Sequence, residues 1–110
     1  MIAAKKKVLF VCSQNKFRSR TAEEVFRNSD KIEVDSVGTE TDAVVVVEPD
    51  HIHWADLIYV MEPRHKNKLK KMFGKLLDGK RVIVLGIPDI YEYMESGLIE
   101  DLKKKLTGLY

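Results

Sequence analysis

Apolar and polar positions follow two rhythms along this chain. Short unbroken apolar runs stop abruptly, and between them apolar side chains recur every three or four residues. The runs predict strands over about 6–11, 32–37, 57–61 and 81–85. The longer spacing predicts helices over about 19–28, 49–55, 63–73 and 97–106. Ala22, Val25 and Phe26 make an inner face on the first helix. Leu69, Met72 and Phe73 do so on the third, and Leu98, Leu102, Leu106 and Leu109 on the last. Pro49 and Pro63 suit first helical turns, where a missing N–H costs nothing. Asn28-Ser29-Asp30 and Asp78-Gly79 read as turns. Residues 39–47 read as a loop with some extended structure, and 86–96 as a loop rich in functional side chains.

Strand and helix alternate, which predicts an α/β fold with a parallel sheet covered on both faces. The apolar stretch Val82 to Leu85 is unbroken, as expected of a buried parallel strand. A length of 110 residues predicts a single domain, 1–110. Hydrophobic content of 45% and charged content of 33% predict a soluble globular chain. A net charge of +2 is too small to argue for nucleic acid. No apolar run reaches membrane-spanning length, and no signal-peptide pattern is present, so a cytoplasmic location is expected. One cysteine allows no intrachain disulfide, in keeping with a reducing compartment. His51, His53 and His65 do not complete a ligand set with cysteines or carboxylates, so no metal and no cofactor are expected.

Chemistry concentrates where the first run ends. Val8 to Val11 leads into Cys12, and six residues later come Arg18, Ser19 and a helical pattern. A loop between a strand and a helix N-terminus turns its N–H groups inward and holds phosphate or another oxyanion. Arg18 adds a two-pronged grip on oxygens, and Cys12 sits in a field that favours thiolate. A buried free cysteine at a strand end is the plain alternative.

The stretch Val8-Leu9-Phe10-Val11-Cys12, Asn15, Arg18-Ser19 and Ala22-Glu23 resembles the low-molecular-weight protein tyrosine phosphatases, with their C-x5-R signature. The resemblance implies a flavodoxin-like three-layer sandwich whose four-stranded parallel sheet has the order 2-1-3-4. It implies a metal-independent phosphatase that passes through a phosphocysteine, acting on a phosphorylated protein or a small aryl phosphate. Cys12 would be the nucleophile, Arg18 the oxyanion clamp and Asp89 the general acid, in Asp89-Ile90-Tyr91 after strand four. Glu92 and Glu95 are lesser candidates for the acid. Ser13, Gln14, Asn15, Lys16, Phe17 and Arg18 would bind the phosphate, with Tyr91 walling the pocket. Tyr93 shares that reading with ordinary loop packing. Asn15, in a backbone conformation that asparagine tolerates, would join Ser19 and Ser36 in supporting the nucleophile.

The sequence departs from the family at several points. Gln14 stands where the family has glycine, and Phe17 where it often has a second cysteine able to protect the nucleophile as a disulfide. The middle is short, and residues 39–47 carry no aromatic side chain. Ile90 replaces the proline of the acid loop. Three rivals follow. An arsenate reductase of the same fold passes oxidation between several cysteines, and this chain has one. A phosphocarrier of a sugar transport system lacks the arginine and the acid. A non-catalytic phosphate-binding module is the third. One histidine is a candidate buttress for the loop, and the sequence leaves open which. The basic side of the third helix, with Lys66, Lys70 and Lys71, is a solvated face that also suits steering of acidic phosphopeptides.

Overall fold

A computed structural model describes residues 4–110. Four strands, β1 (Lys6–Cys12), β2 (Ile32–Gly38), β3 (Leu57–Val60) and β4 (Arg81–Val84), form one parallel sheet of order β2-β1-β3-β4. Helices α1 (Arg18–Phe26), α2 (Pro49–Trp54) and α3 (Pro63–Phe73) make the crossovers, and with α4 (Ser96–Lys105) they cover the faces. A short 3-10 turn, Gly74–Leu77, extends α3 and has no signal in the spacing of the sequence.

Side chains alternate across the central strand and so feed two cores. Val8, Phe10 and Cys12 face α1 and α4, together with Ala22, Phe26, Tyr59, Leu98 and Leu102. Leu9 and Val11 face α2 and α3, with Ile52, Ile58, Val60 and Leu69. Both faces being covered, Val8 to Val11 have no exposure at all.

Two expectations change. β4 is only half-buried, because it is the sheet's edge and has a strand neighbour on one side alone. Met72 is 43% exposed; the buried stripe of α3 runs through His65 and Leu69 instead. Residues 39–47 do form a loop, with one bridge of extended structure between Gly38 and Val46.

The chain leaves β1 toward β2 on one side and later returns to β3 on the other. The carboxyl ends of β1 and β3 therefore part to opposite faces, opening a crevice at the switch point. The segment 12–18 lies there.

Candidate active site

The loop from Cys12 to Arg18 is strapped from outside. The carbonyls of Cys12, Ser13 and Gln14 accept hydrogen bonds from the N–H groups of Thr39, Glu40 and Val44, at 2.9–3.0 Å. Among the described residues, nothing accepts from the main-chain N–H groups of Ser13 to Arg18. With the carbonyls turned out, those six donors are left to the concave side. Gly38 makes the close approach possible: a Cβ there would lie 2.5 Å from the Ser13 carbonyl oxygen and 2.9 Å from the Asn15 nitrogen. Asn15 takes the one positive φ in the loop, 55°, so Gln14 fits without a left-handed backbone. The Gln14 side chain reaches outward to Asp42 at 3.3 Å.

Behind the loop runs a directed chain of hydrogen bonds. The Asn15 amide nitrogen can only donate, and it does so to Ser19 Oγ at 2.8 Å and Ser36 Oγ at 2.9 Å. Ser36 passes its own proton toward Glu23. Ser19 accepts from Asn15, so its hydroxyl hydrogen is free for Cys12 Sγ, 2.9 Å away. Asn15, Ser19 and Ser36 are all buried.

Arg18 is 2% exposed and closes the loop. Its Nη1 donates to Glu62 Oε2 at 2.6 Å and to the Ile87 carbonyl at 2.8 Å. Glu62 also receives Arg64, Nη2 at 2.9 Å and Nε at 3.2 Å. Burial alone would raise the Glu62 carboxyl, but its hydrogen bonds to Arg18 and Arg64 hold it below the usual range. Asp89 Oδ1 stands 3.8 Å from Arg18 Nε and faces solvent. The loop that carries Asp89 is tied down at two points. Ile87 N–H donates to the Met61 carbonyl, and Met94 N–H donates to Thr21 Oγ1 on α1.

His65 is the histidine that meets the loop. Its Nδ1 accepts from the Glu62 N–H at 3.1 Å, so a neutral ring carries its proton on Nε2, 2.9 Å from Ser13 Oγ. Burial, with Arg18 and Arg64 nearby, pushes His65 from 6.5 down to about 4. The N-terminal turn of α3 thus holds both ends of the loop: His65 on Ser13 and Glu62 on Arg18.

These groups surround a cavity of about 390 Å³ lined by Cys12, Ser13, Gln14, Lys16, Phe17, Arg18, Glu40, Arg64 and Asp89. Of the residues read from the sequence, Cys12, Ser13, Gln14, Lys16, Phe17, Arg18 and Asp89 meet there. Asn15, Ser19 and Ser36 lie behind. Tyr91 does not line the cavity. Its ring packs against the α4 side of the core and over Gly97, where a Cβ would come within 3.1 Å of Cε1. Tyr93 is exposed, with the Arg20 guanidinium 5.9 Å from its ring centre. Glu40, Glu62, Arg64 and His65 are additions from the structure. Glu62 and His65 had one sequence signal: Glu-Pro-x-His occurs twice, at Glu48 to His51 and Glu62 to His65. Among the described residues, no group of three or more His, Cys, Asp or Glu side chains is placed to hold a metal ion. No helix among them is long and apolar enough to cross a membrane.

No family model matches the chain, and no curated protein does. Solved structures do. A low molecular weight protein tyrosine phosphatase from Streptococcus pyogenes superposes with a TM-score of 0.77 at 21% identity, covering 96% of this chain and 93% of its own. The tyrosine phosphatase Wzb from Escherichia coli K30, in complex with sulphate, gives 0.74 at 16% identity, covering 93% and 94%. The YwlE arginine phosphatase from Geobacillus stearothermophilus gives 0.67 at 22% identity, covering 92% of each. The fold is that of these phosphatases.

Proposed function

We propose that this chain, which has the low-molecular-weight phosphatase fold, is a cysteine-dependent phosphatase that hydrolyses phosphate monoesters through a phosphocysteine. The observation that carries the reading is the meeting of Cys12, Arg18 and unpaired loop amides in one cavity, with a carboxylate, Asp89, on its rim. The Cys12 sulfur attacks phosphorus in line with the ester oxygen. The loop amides and Arg18 hold the three equatorial oxygens as charge spreads over them. Asp89 protonates the departing oxygen, then takes a proton from the water that cleaves the phosphocysteine. Ser19 donates to the sulfur as it leaves. Lys16, Gln14 and Phe17 also line the cavity. The arrangement of these residues supports the proposed roles, and a cytoplasmic setting, where a lone thiol stays reduced, suits them.

The leaving group we favour is the phenol of phosphotyrosine, with Phe17 as the one aromatic wall. A second reading, phosphoarginine, is favoured by two carboxylates at the cavity, Glu40 and Asp89, that suit a cationic guanidinium. The YwlE protein of the same fold is described as an arginine phosphatase.

The test is hydrolysis of p-nitrophenyl phosphate with a chelator present, followed by phosphotyrosine and phosphoarginine side by side. Cys12→Ser is expected to abolish turnover. Asp89→Asn is expected to slow it about 10²-fold or more, most for poor leaving groups. A flat response across leaving groups would remove Asp89 from the acid's role. Oxyanion binding without turnover by the wild type would leave a binding module.

A further inference from the structure

Arg18 has five N–H donors, and two of them are committed within the protein. Both belong to Nη1, which meets Glu62 and the Ile87 carbonyl. Among the described residues, Nε and Nη2 make no hydrogen bond, and the Asp89 carboxylate stands 3.8 Å from Nε. Those two atoms form one edge of the guanidinium, with parallel N–H groups spaced for two oxygens of an oxyanion. The Nη1 corner is anchored, and the Nε–Nη2 edge is left to the cavity that Arg18 lines.

We infer that Glu62 is a positioning residue: it sets the rotation of the Arg18 guanidinium so that the Nε–Nη2 edge, and not another, grips the oxyanion. Three observations support the role. The contact is the shortest ion pair among the described residues, at 2.6 Å, and its arginine is buried. The Ile87 carbonyl alone fixes one hydrogen and leaves the plane free to turn about it; Glu62 supplies the second point. Arg64 grips the same Glu62 oxygen through two nitrogens, which keeps the carboxylate in place. Glu62 thus sits between two guanidiniums, while the Asp89 carboxylate stands 3.8 Å from Arg18 Nε on the cavity side.

A mere charge effect predicts the opposite sign. A carboxylate beside an anion site repels the anion, so removing its charge would tighten binding. The kinetic side of this inference rests on the phosphatase reading; the binding side does not. The experiment uses the full chain as wild type, Glu62→Gln and Glu62→Asp. Glu62→Gln keeps the size and removes the charge. Glu62→Asp keeps the charge, suits a helix N-cap and draws the carboxylate back from Arg18. Measured quantities are the affinity for inorganic orthovanadate by calorimetry, kcat and KM for p-nitrophenyl phosphate, and thermal midpoints.

Both variants are expected to bind orthovanadate roughly tenfold or more weakly, and to lose kcat by a similar or larger factor, as misplacement of a binding group does. Folded midpoints close to wild type would separate this from a general loss of structure. Orthovanadate binding unchanged in Glu62→Asp, or tighter in Glu62→Gln, would overturn the inference. Wild-type protein that binds orthovanadate and hydrolyses nothing would end the phosphatase reading while leaving Glu62 to be judged on affinity. Wild-type protein that does neither would overturn both.

Discussion

At His65, burial and two neighbouring guanidiniums push the imidazole down to about 4 from an ordinary 6.5. Between those values the unfolded chain takes up a proton and the folded chain does not. Stability therefore falls as pH drops from about 6.5 toward 4, and the residue adds no pH dependence above that window. The slope approaches about 1.4 kcal/mol per pH unit, and the whole window is worth on the order of 2 kcal/mol once residual solvation is allowed for. Glu62 acts in the same direction at lower pH, since its depressed carboxyl resists protonation. Urea midpoints at pH 7 and pH 5 are expected to lie closer together in His65→Gln than in the wild type. An equal gap in both proteins would refute the assignment. The sequence made Cys12, Asn15, Arg18 and Ser19 legible because they are neighbours in one loop, where spacing is geometry. It could not pair Glu62 with Arg18 or His65 with Ser13, which are 44 and 52 residues apart. Nor could it tell that Tyr91 turns toward Gly97, because an aromatic side chain suits a pocket wall and a core equally well.

Among the elements, the strap is the most exacting. Gly38 ends β2, pairs with Cys12 and leaves room for the Ser13 carbonyl. Ala at 38 would place a methyl 2.5 Å from that oxygen and 2.6 Å from Ala43 Cβ, both on or near the main chain. The loop would have to shift. Gly38→Ala is expected to cost about 1–3 kcal/mol of stability by overpacking, and to weaken oxyanion binding as the amides move. Val45→Ala, at an exposed position on the same strap, is the control and should change neither. Thermal melts and phosphate titration read both effects; a binding-competent Gly38→Ala protein would show that the strap is softer than it looks. Helices and strands were legible to within two residues because their apolar periods are local. The half-burial of β4 was not, because it depends on which strand ends up at the edge. Met72 shows the same limit, since its place on the face of α3 is set by what that helix meets.

For the whole molecule, the cavity draws on parts of the chain from residue 12 to residue 89. The site therefore forms only when both cores do. An oxyanion bound there should stabilise the entire fold, by about 2.7 kcal/mol at a hundredfold excess over Kd. For a domain near this size that raises the midpoint by roughly 10 °C or more. Phosphate should produce the rise over chloride at equal ionic strength, and Arg18→Lys should blunt it. Equal shifts with both salts would mean a screening effect and no site. The twin Glu-Pro-x-His turns add one more use. Glu48 N–H meets His51 Nδ1 at 2.9 Å, much as Glu62 N–H meets His65 at 3.1 Å, yet Glu48 is exposed and far from the loop in role. The molecule thus carries its own yardstick for a helix start: matched substitutions in the outer copy, subtracted from those in the inner one, isolate what holding the Cys12–Arg18 loop adds.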